Sequence, residues 1–255
     1  MTKTARIESA TRIYFASDIH LGGGNAETAR ANERRFVAWL DRAAADAEAI
    51  FLLGDIFDFW FEYRRVVPKG FVRTLSKLAE LTDRGIRIGF FPGNHDLWVR
   101  DYFRGECGME VYPMPRILEL KGQRIYMAHG DNMGVGREPR LLNRIFRSRT
   151  LRWLFSWGVH PDWAMRFGHW WSGKSRKSHA GPEGFDESLT EPLIGYARRY
   201  AETHAVDHFV FGHMHFPRDY HDGTLHTIHL GGWEKCPSYA VLDDTGALTL
   251  EMLEQ

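Results

Sequence analysis

Five of the thirteen histidines sit in short motifs beside aspartate, asparagine or glycine: Asp18-Ile19-His20, Gly93-Asn94-His95-Asp96, His129-Gly130-Asp131 and Gly212-His213-Met214-His215. A fifth motif, Gly54-Asp55-Ile56-Phe57-Asp58, brings two more carboxylates. Each follows a short apolar run that reads as a strand, so the polar groups fall where the chain leaves a sheet. In an extended segment residues i and i+2 point the same way, so Asp18 with His20, and His213 with His215, can each converge on one point. That is ligand spacing. Imidazoles, carboxylates and an amide oxygen suit Mn²⁺, Fe²⁺ or Zn²⁺, and the lack of a thiolate argues against a structural zinc site. Asp55, with two oxygens, can bridge a pair of ions. Two divalent ions set against two carboxylates and one hydroxide leave about one positive charge, which suits a phosphate anion. Such a pair lowers the pKa of water to roughly 7 and, at a separation of about 3.5–4 Å, steadies both attacking and leaving oxygens.

Singly, these motifs mean little. An isolated Asp-x-His or His-x-His is common, and a glycine before aspartate more often makes a turn than a metal site. Five in order, each at a strand end, point to chemistry. The other histidines, among them His160, His169, His204, His208 and His221, read as surface or core residues.

The elements that must position the motifs alternate between strand and helix, which favours an α/β layering. Residues Arg12–Ala16, Ala49–Leu53, Ile86–Phe91, Arg124–Ala128, Asp207–Phe211 and His226–Leu230 read as buried strands. Glu27–Asp46 and Phe71–Arg84 read as helices, the first capped by Asn25 and the second closed by Gly85. Lys121-Gly122-Gln123 and Asp244-Thr245-Gly246 read as hairpin turns joining antiparallel strands, so the sheets are mixed.

At 255 residues, with 44% apolar and 26% charged residues, the chain can bury a sizeable core, and its composition argues against disorder, collagen-like repeats and coiled coil. Lysine plus arginine and aspartate plus glutamate each number 33, so no global field argues for wrapping nucleic acid. Cys107 and Cys236 cannot build a disulfide framework and fit a reducing compartment. Met1 to Tyr14 lacks the apolar stretch of a secretory signal, and the longest apolar run, Ala49 to Phe61, is broken by Asp55 and Asp58. A cytoplasmic protein is expected.

One stretch breaks the rhythm. From Arg137 to Lys177 there are ten basic and two acidic residues, and five of the nine tryptophans: Trp153, Trp157, Trp163, Trp170 and Trp171. Leu142, Ile145, Phe146, Trp153, Leu154 and Trp157 fall near one helical stripe, and Arg140, Arg144, Arg147 and Arg152 near another. An aromatic stripe of this kind is usually core, yet a basic helix with Trp and Phe on its apolar face is also what a membrane surface selects. Positions 137–185 are therefore expected to form a helical insertion within a single domain spanning 1–255.

The ordered series Asp-x-His, Gly-Asp-x-x-Asp, Gly-Asn-His-Asp, His and Gly-His-x-His resembles the calcineurin-like metallophosphoesterase superfamily, over Asp18 to His215. The resemblance implies a four-layer α/β/β/α sandwich with mixed sheets, the site at one edge of both, and here a helical lid. It implies two divalent metal ions, Mn²⁺ first with Fe²⁺ or Zn²⁺ as alternatives. Asp18, His20, Asp55 and His215 would hold one, and Asp55, Asn94, His129 and His213 the other. His95, held by Asp96, would contact the phosphate beside Asn94 and protonate the leaving oxygen.

More narrowly, Gly54-Asp55-Ile56-Phe57-Asp58-Phe59-Trp60, the His129-Gly130-Asp131 turn and Leu230-Gly231-Gly232-Trp233 resemble the UDP-2,3-diacylglucosamine hydrolases, pyrophosphatases of lipid A synthesis. That implies an acylated sugar nucleotide substrate cut to UMP and 2,3-diacylglucosamine 1-phosphate. It also implies peripheral attachment to the cytoplasmic face of the inner membrane and no nucleic-acid partner. Asn94, His95, Lys174, Ser175 and Lys177 would bind the substrate's polar head. Two rivals stay open. In one, a generalist phosphodiesterase, nuclease or protein phosphatase uses the basic segment on nucleic-acid phosphates and Trp170 to stack bases. The other is a non-catalytic scaffold, against which the complete ligand set argues.

Overall fold

A computed structural model describes residues 11–133, 148–179 and 187–254, and it folds them around two mixed sheets. The first sheet contains β1 (Arg12–Ala16), β2 (Ala47–Leu52), β3 (Arg87–Phe90), β4 (Glu110–Val111), β10 (Ser238–Leu242) and β11 (Leu248–Met252). Its order is β11-β10-β1-β2-β3-β4, with β1 to β4 parallel, β10 antiparallel to β1 and β11 antiparallel to β10. The second sheet contains β5 (Arg116–Leu120), β6 (Gln123–Ala128), β7 (His208–Phe211), β8 (Arg218–His221) and β9 (His226–His229). Here β6, β7 and β9 run parallel between antiparallel edge strands, in the order β5-β6-β7-β9-β8.

Alternation along the strands explains the layers. Phe15, Phe51 and Ala240 from the first sheet meet Ile125, Met127 and Val210 from the second in a buried inter-sheet core. The opposite face of the first sheet, with Tyr14, Ile50 and Ile88, is covered by α1 (Ala26–Ala43) and α2 (Val72–Asp83) through Phe36, Trp39, Leu40, Leu78 and Leu81. The opposite face of the second, with Tyr126, Phe209 and Phe211, is covered by α6 (Glu191–Ala201) through Leu193, Ile194 and Ala197. The result is a four-layer α/β/β/α sandwich. A short helix, α3 (Tyr102–Gly105), leads into β4, and α4 (Arg149–Gly158) and α5 (Pro161–His179) lie between β6 and a 3₁₀ turn at Glu187–Thr190.

The expected caps hold, with one correction. Asn25 Oδ1 accepts the N–H groups of Glu27 and Thr28 at 3.0 and 2.9 Å. Asn25→Ala is expected to cost about 1 kcal/mol in denaturant unfolding, with activity per folded molecule unchanged. Gly85, at φ +88°, follows α2 as predicted. The first helix, however, stops at Ala43 rather than running to Asp46. The Asp46 carbonyl accepts the Arg12 N–H at 2.9 Å and its carboxylate accepts the Tyr14 hydroxyl at 2.7 Å, so Asp46 starts the β1–β2 pairing instead. No helix among the described residues is long and apolar enough to cross a membrane.

Candidate active site

Every motif lies just past the carboxyl end of a parallel strand: Asp18 and His20 after β1, Asp55 and Asp58 after β2, Asn94 and His95 after β3, His129 after β6, His213 and His215 after β7. Such ends are where open α/β sheets place their ligands. Backbone bonds knit these loops together. Asp18, His20 and Leu21 donate to the carbonyls of Gly54, Asp55 and Ile56 at 3.0, 3.0 and 2.9 Å, Gly212 donates to that of His129 at 3.0 Å, and Trp233 to that of Asp18 at 3.0 Å.

The convergence predicted from strand alternation has a different origin. Asp18, His20, Asp55, His213 and His215 all take up left-handed backbone, with φ of 55°, 50°, 53°, 72° and 55°. Asp and His tolerate this conformation better than most side chains, but it still costs on the order of 1–3 kcal/mol per residue. These residues sit in tight turns beyond the strands, and the turns aim them. Gly54, at φ +86°, is needed for the same packing: a Cβ there would lie 2.7 Å from the Gly93 backbone and from His129 Nδ1.

Three sets of ligand atoms each gather within 4.8 Å: Asp18, His20, Asp55 and His215; Asp55, His129 and His213; and His20, Asp58 and His95. Asp55 belongs to the first two, as a bridging ligand should. Its Oδ1 accepts the His95 N–H at 2.8 Å, leaving Oδ2 at 3.3 Å from His129 Nε2 and 3.9 Å from His20 Nε2. Asp18 is held similarly. Its Oδ2 accepts the Ser17 hydroxyl at 2.5 Å and the His213 N–H at 2.9 Å, while Oδ1 points into the site, 3.1 Å from His215 Nε2.

The tautomers show that this donor set fits a cation. His129 Nδ1 donates to the Leu53 carbonyl at 2.9 Å, so in the neutral ring Nε2 is a lone pair. That lone pair faces Asn94 Oδ1 at 3.1 Å and Asp55 Oδ2 at 3.3 Å, two further acceptors. Three acceptors at such distances need positive charge among them. A proton can supply it, which is why Asp55 drives the His129 pKa up to about 10 although burial opposes the charge. A divalent ion supplies it better and explains why His20 and His215 also turn Nε2 toward each other at 3.0 Å. Burial pushes His20 down to about 3, the neutral form that a ligand requires. Burial works against the charge on Asp18 and on Asp55, yet His215 holds the first down and His129 the second, so both stay anionic.

One expectation needs correction. Asp96 does not hold His95. Its carboxylate accepts N–H groups from Gly93 at 2.7 Å, Ile56 at 2.8 Å, Asp55 at 3.2 Å and Phe57 at 3.4 Å, joining the loops that carry Asn94 and Asp55. The His95 ring is held by the Asp58 carbonyl, which accepts from Nδ1 at 2.9 Å, so Nε2 faces the site 3.8 Å from Asp55 Oδ2. Sequence reasoning gave Asp58 no role, although the Gly-Asp-x-x-Asp spacing displayed it. Glu62 was missed altogether. Buried beside the site, it accepts from Trp60 Nε1 at 3.0 Å and from the Arg100 and Asp101 N–H groups at 2.7 and 3.0 Å, tying the loop after β2 to the start of α3.

Helices α4 and α5 dock beside the loop after β2. Phe155 packs on Phe61 and Trp98, with ring centroids 5.1 and 5.3 Å apart, and the Tyr63 hydroxyl donates to the Val159 carbonyl at 3.0 Å. Their outward side is aromatic: Trp153, Leu154, Trp157, Trp163, Phe167, Trp170 and Trp171 are exposed, Trp157 to 84%. The described part of the stripe, Trp153, Leu154 and Trp157, is therefore not core. Of the expected insertion, positions 137–147 and 180–185 lie outside the described residues, and with them Arg140, Leu142, Arg144, Ile145, Phe146 and Arg147. So do the side chains of Lys174, Ser175 and Lys177, although their backbone continues α5.

The chain is 40% identical to a UDP-2,3-diacylglucosamine hydrolase of Porphyromonas gingivalis, covering 96% of this chain and 98% of the relative. It is 29% identical to one from Pseudomonas aeruginosa (88% and 91% covered) and 27% identical to one from Actinobacillus succinogenes (89% and 94% covered). The calcineurin-like phosphoesterase family model matches residues 11–217. That span holds every residue that gathers at the sheet edge, from Asp18 to His215, and with the near full-length relatives it shows that the chain belongs to the calcineurin-like phosphoesterase family of metal-dependent hydrolases.

Proposed function

We propose that the protein binds two divalent ions, Mn²⁺ foremost, and hydrolyses the diphosphate of UDP-2,3-diacylglucosamine to UMP and 2,3-diacylglucosamine 1-phosphate. The observation that carries the reading is the sharing of Asp55 between two ligand clusters in a chain so similar over its length to a hydrolase of that name. Bound ions would supply an activated water and positive charge for the phosphoryl oxygens. The chain's own residues do the rest. Asp18, His20, Asp55 and His215 would hold one ion and Asp55, Asn94, His129 and His213 the other. His95, with Nδ1 tied to the Asp58 carbonyl, presents Nε2 to the site and can carry the proton for the leaving oxygen.

Residues 137–185 form, in this reading, a lid within one domain that seats the acyl chains beside positive charge and orients the diphosphate. The exposed Trp153, Trp157, Trp163, Trp170 and Trp171, with Arg152 and Arg166 among them, support peripheral binding at the cytoplasmic face of the inner membrane. Incubating the protein with UDP-2,3-diacylglucosamine and Mn²⁺ is expected to release UMP and the acylated sugar phosphate, read by mass spectrometry. Cleavage confined to simple aryl phosphates would replace this substrate with a generalist's. Lys174→Glu combined with Lys177→Glu is expected to lower turnover of the lipid substrate about tenfold or more and to spare a small aryl phosphate. Equal losses on both substrates would remove these lysines from recognition.

A further inference from the structure

The metal-centre reading leaves one buried contact unused. The Ser172 hydroxyl of α5 donates to Asp58 Oδ1 at 2.5 Å, with Ser172 exposed to only 1% and Asp58 to 2%. Ser172 is the one fully buried hydroxyl among the described side chains of α4 and α5, and the oxygen it grips belongs to the loop that carries Asp55. That oxygen is also the acidic group behind His20. If His20 offers Nε2 to a metal, as the reading above has it, the neutral ring carries its proton on Nδ1, and this buried nitrogen has no hydrogen-bond partner among the described residues. Asp58 Oδ1 stands 3.8 Å from it. A metal-bound imidazole is oriented by a carboxylate behind its distal nitrogen, and loss of such a group typically costs about 10–100-fold in metal affinity. Asp58 also holds His95 through its carbonyl.

The register of α5 is set one turn earlier. Gly168 lies flat on the Phe59 ring, where a Cβ would come within 2.3–2.4 Å of three ring carbons, so no side chain fits between helix and loop. With Gly168 seated, Ser172, four residues on and on the same helix face, meets Asp58.

We propose that Ser172 is a positioning residue through which the docked α5 helix fixes Asp58 behind His20 and His95, so that lid docking and metal affinity are coupled. The proposal rests on the metal-centre reading above and adds a connection that reading does not require: Ser172 could hold the lid down without influence on the metal. Coupling is reciprocal, so whatever docking adds to metal binding, metal binding must add to docking.

The test uses the full-length protein with Mn²⁺ alone, without substrate, and reads Mn²⁺ affinity together with amide hydrogen exchange in α5. In the wild type, saturating Mn²⁺ is expected to slow exchange across α5. In Ser172→Ala the Mn²⁺ dissociation constant is expected to rise about tenfold, and α5 exchange to become indifferent to Mn²⁺. Unchanged or tighter Mn²⁺ binding by Ser172→Ala overturns the proposal, as does a wild-type protein that binds Mn²⁺ with no effect on α5, a measurement that needs no variant. A wild type that binds no Mn²⁺ at all would instead bring down the metal-centre reading, and the proposal with it.

Discussion

Asp55→Asn is expected to lower turnover on the order of a thousand-fold or more and to leave the fold standing. The carboxylate has two separate duties. Oδ1 accepts the His95 N–H at 2.8 Å, a bond that an asparagine oxygen can keep. Oδ2 lies 3.3 Å from His129 Nε2 and 3.9 Å from His20 Nε2, one ring from each ligand cluster, and the variant puts there an NH₂ group that has no lone pair to offer and no charge to balance two cations. Asparagine is also the substitution that the backbone accepts, because position 55 sits at φ 53°, where asparagine is among the most tolerant of residues. Elemental analysis should show the metal content falling with the rate, and circular dichroism should show the wild-type spectrum. Wild-type turnover in this variant would end the assignment of Asp55 as the shared ligand.

Much of this site was legible before any coordinates, because it is built from short motifs that each follow a strand. Asp18, His20, Asp55, Asn94, His129, His213 and His215 could be named from residue type and spacing together with a family resemblance, and the fold gathers them at one sheet edge. The reason first offered for their convergence was wrong. Alternation along a strand brings residues i and i+2 together only in extended chain, whereas these pairs sit in left-handed turns that composition does not announce. Long-range contacts were the least legible. The acceptors behind His95 and beside Ser172 both belong to Asp58, and the bonds span 37 and 114 positions of sequence, so neither can be read from local pattern. Helix α6 was missed for a different reason. Its signal, Pro192 near the start with Leu193, Ile194 and Ala197 on one face, is short and follows a stretch whose charge and aromatic content drew attention to lipid binding instead.

Asp96→Ala is the substitution expected to cost the fold most. The side chain is in none of the ligand clusters itself, yet its two oxygens accept the N–H groups of Gly93, Ile56, Asp55 and Phe57, all in the loops that carry Asn94 and Asp55. Leaving even two of these buried donors unpaired costs on the order of 3 kcal/mol or more, enough to lower Tm by about 6–12 °C in a chain of this size. Activity should fall with it, because the loops that present Asp55 and Asn94 lose their common anchor. Asp96→Asn keeps one oxygen and separates charge from hydrogen bonding. Burial, and then the neighbouring Asp55 charge, raise the Asp96 carboxyl from an ordinary 3.8 to about 7 in the metal-free protein. Between those values the unfolded chain is ionised and the folded one is not. The contribution of Asp96 is therefore complete below pH 4 and is lost as pH rises through 7. Asp96→Asn does not titrate, so the Tm advantage of metal-free wild type over this variant is expected to shrink between pH 5 and 7.5. Mn²⁺ should flatten that trend by cancelling the charge on Asp55. An advantage that stays constant across this range without metal would show that Asp96 is already ionised throughout, held by its four donors against both burial and its neighbour.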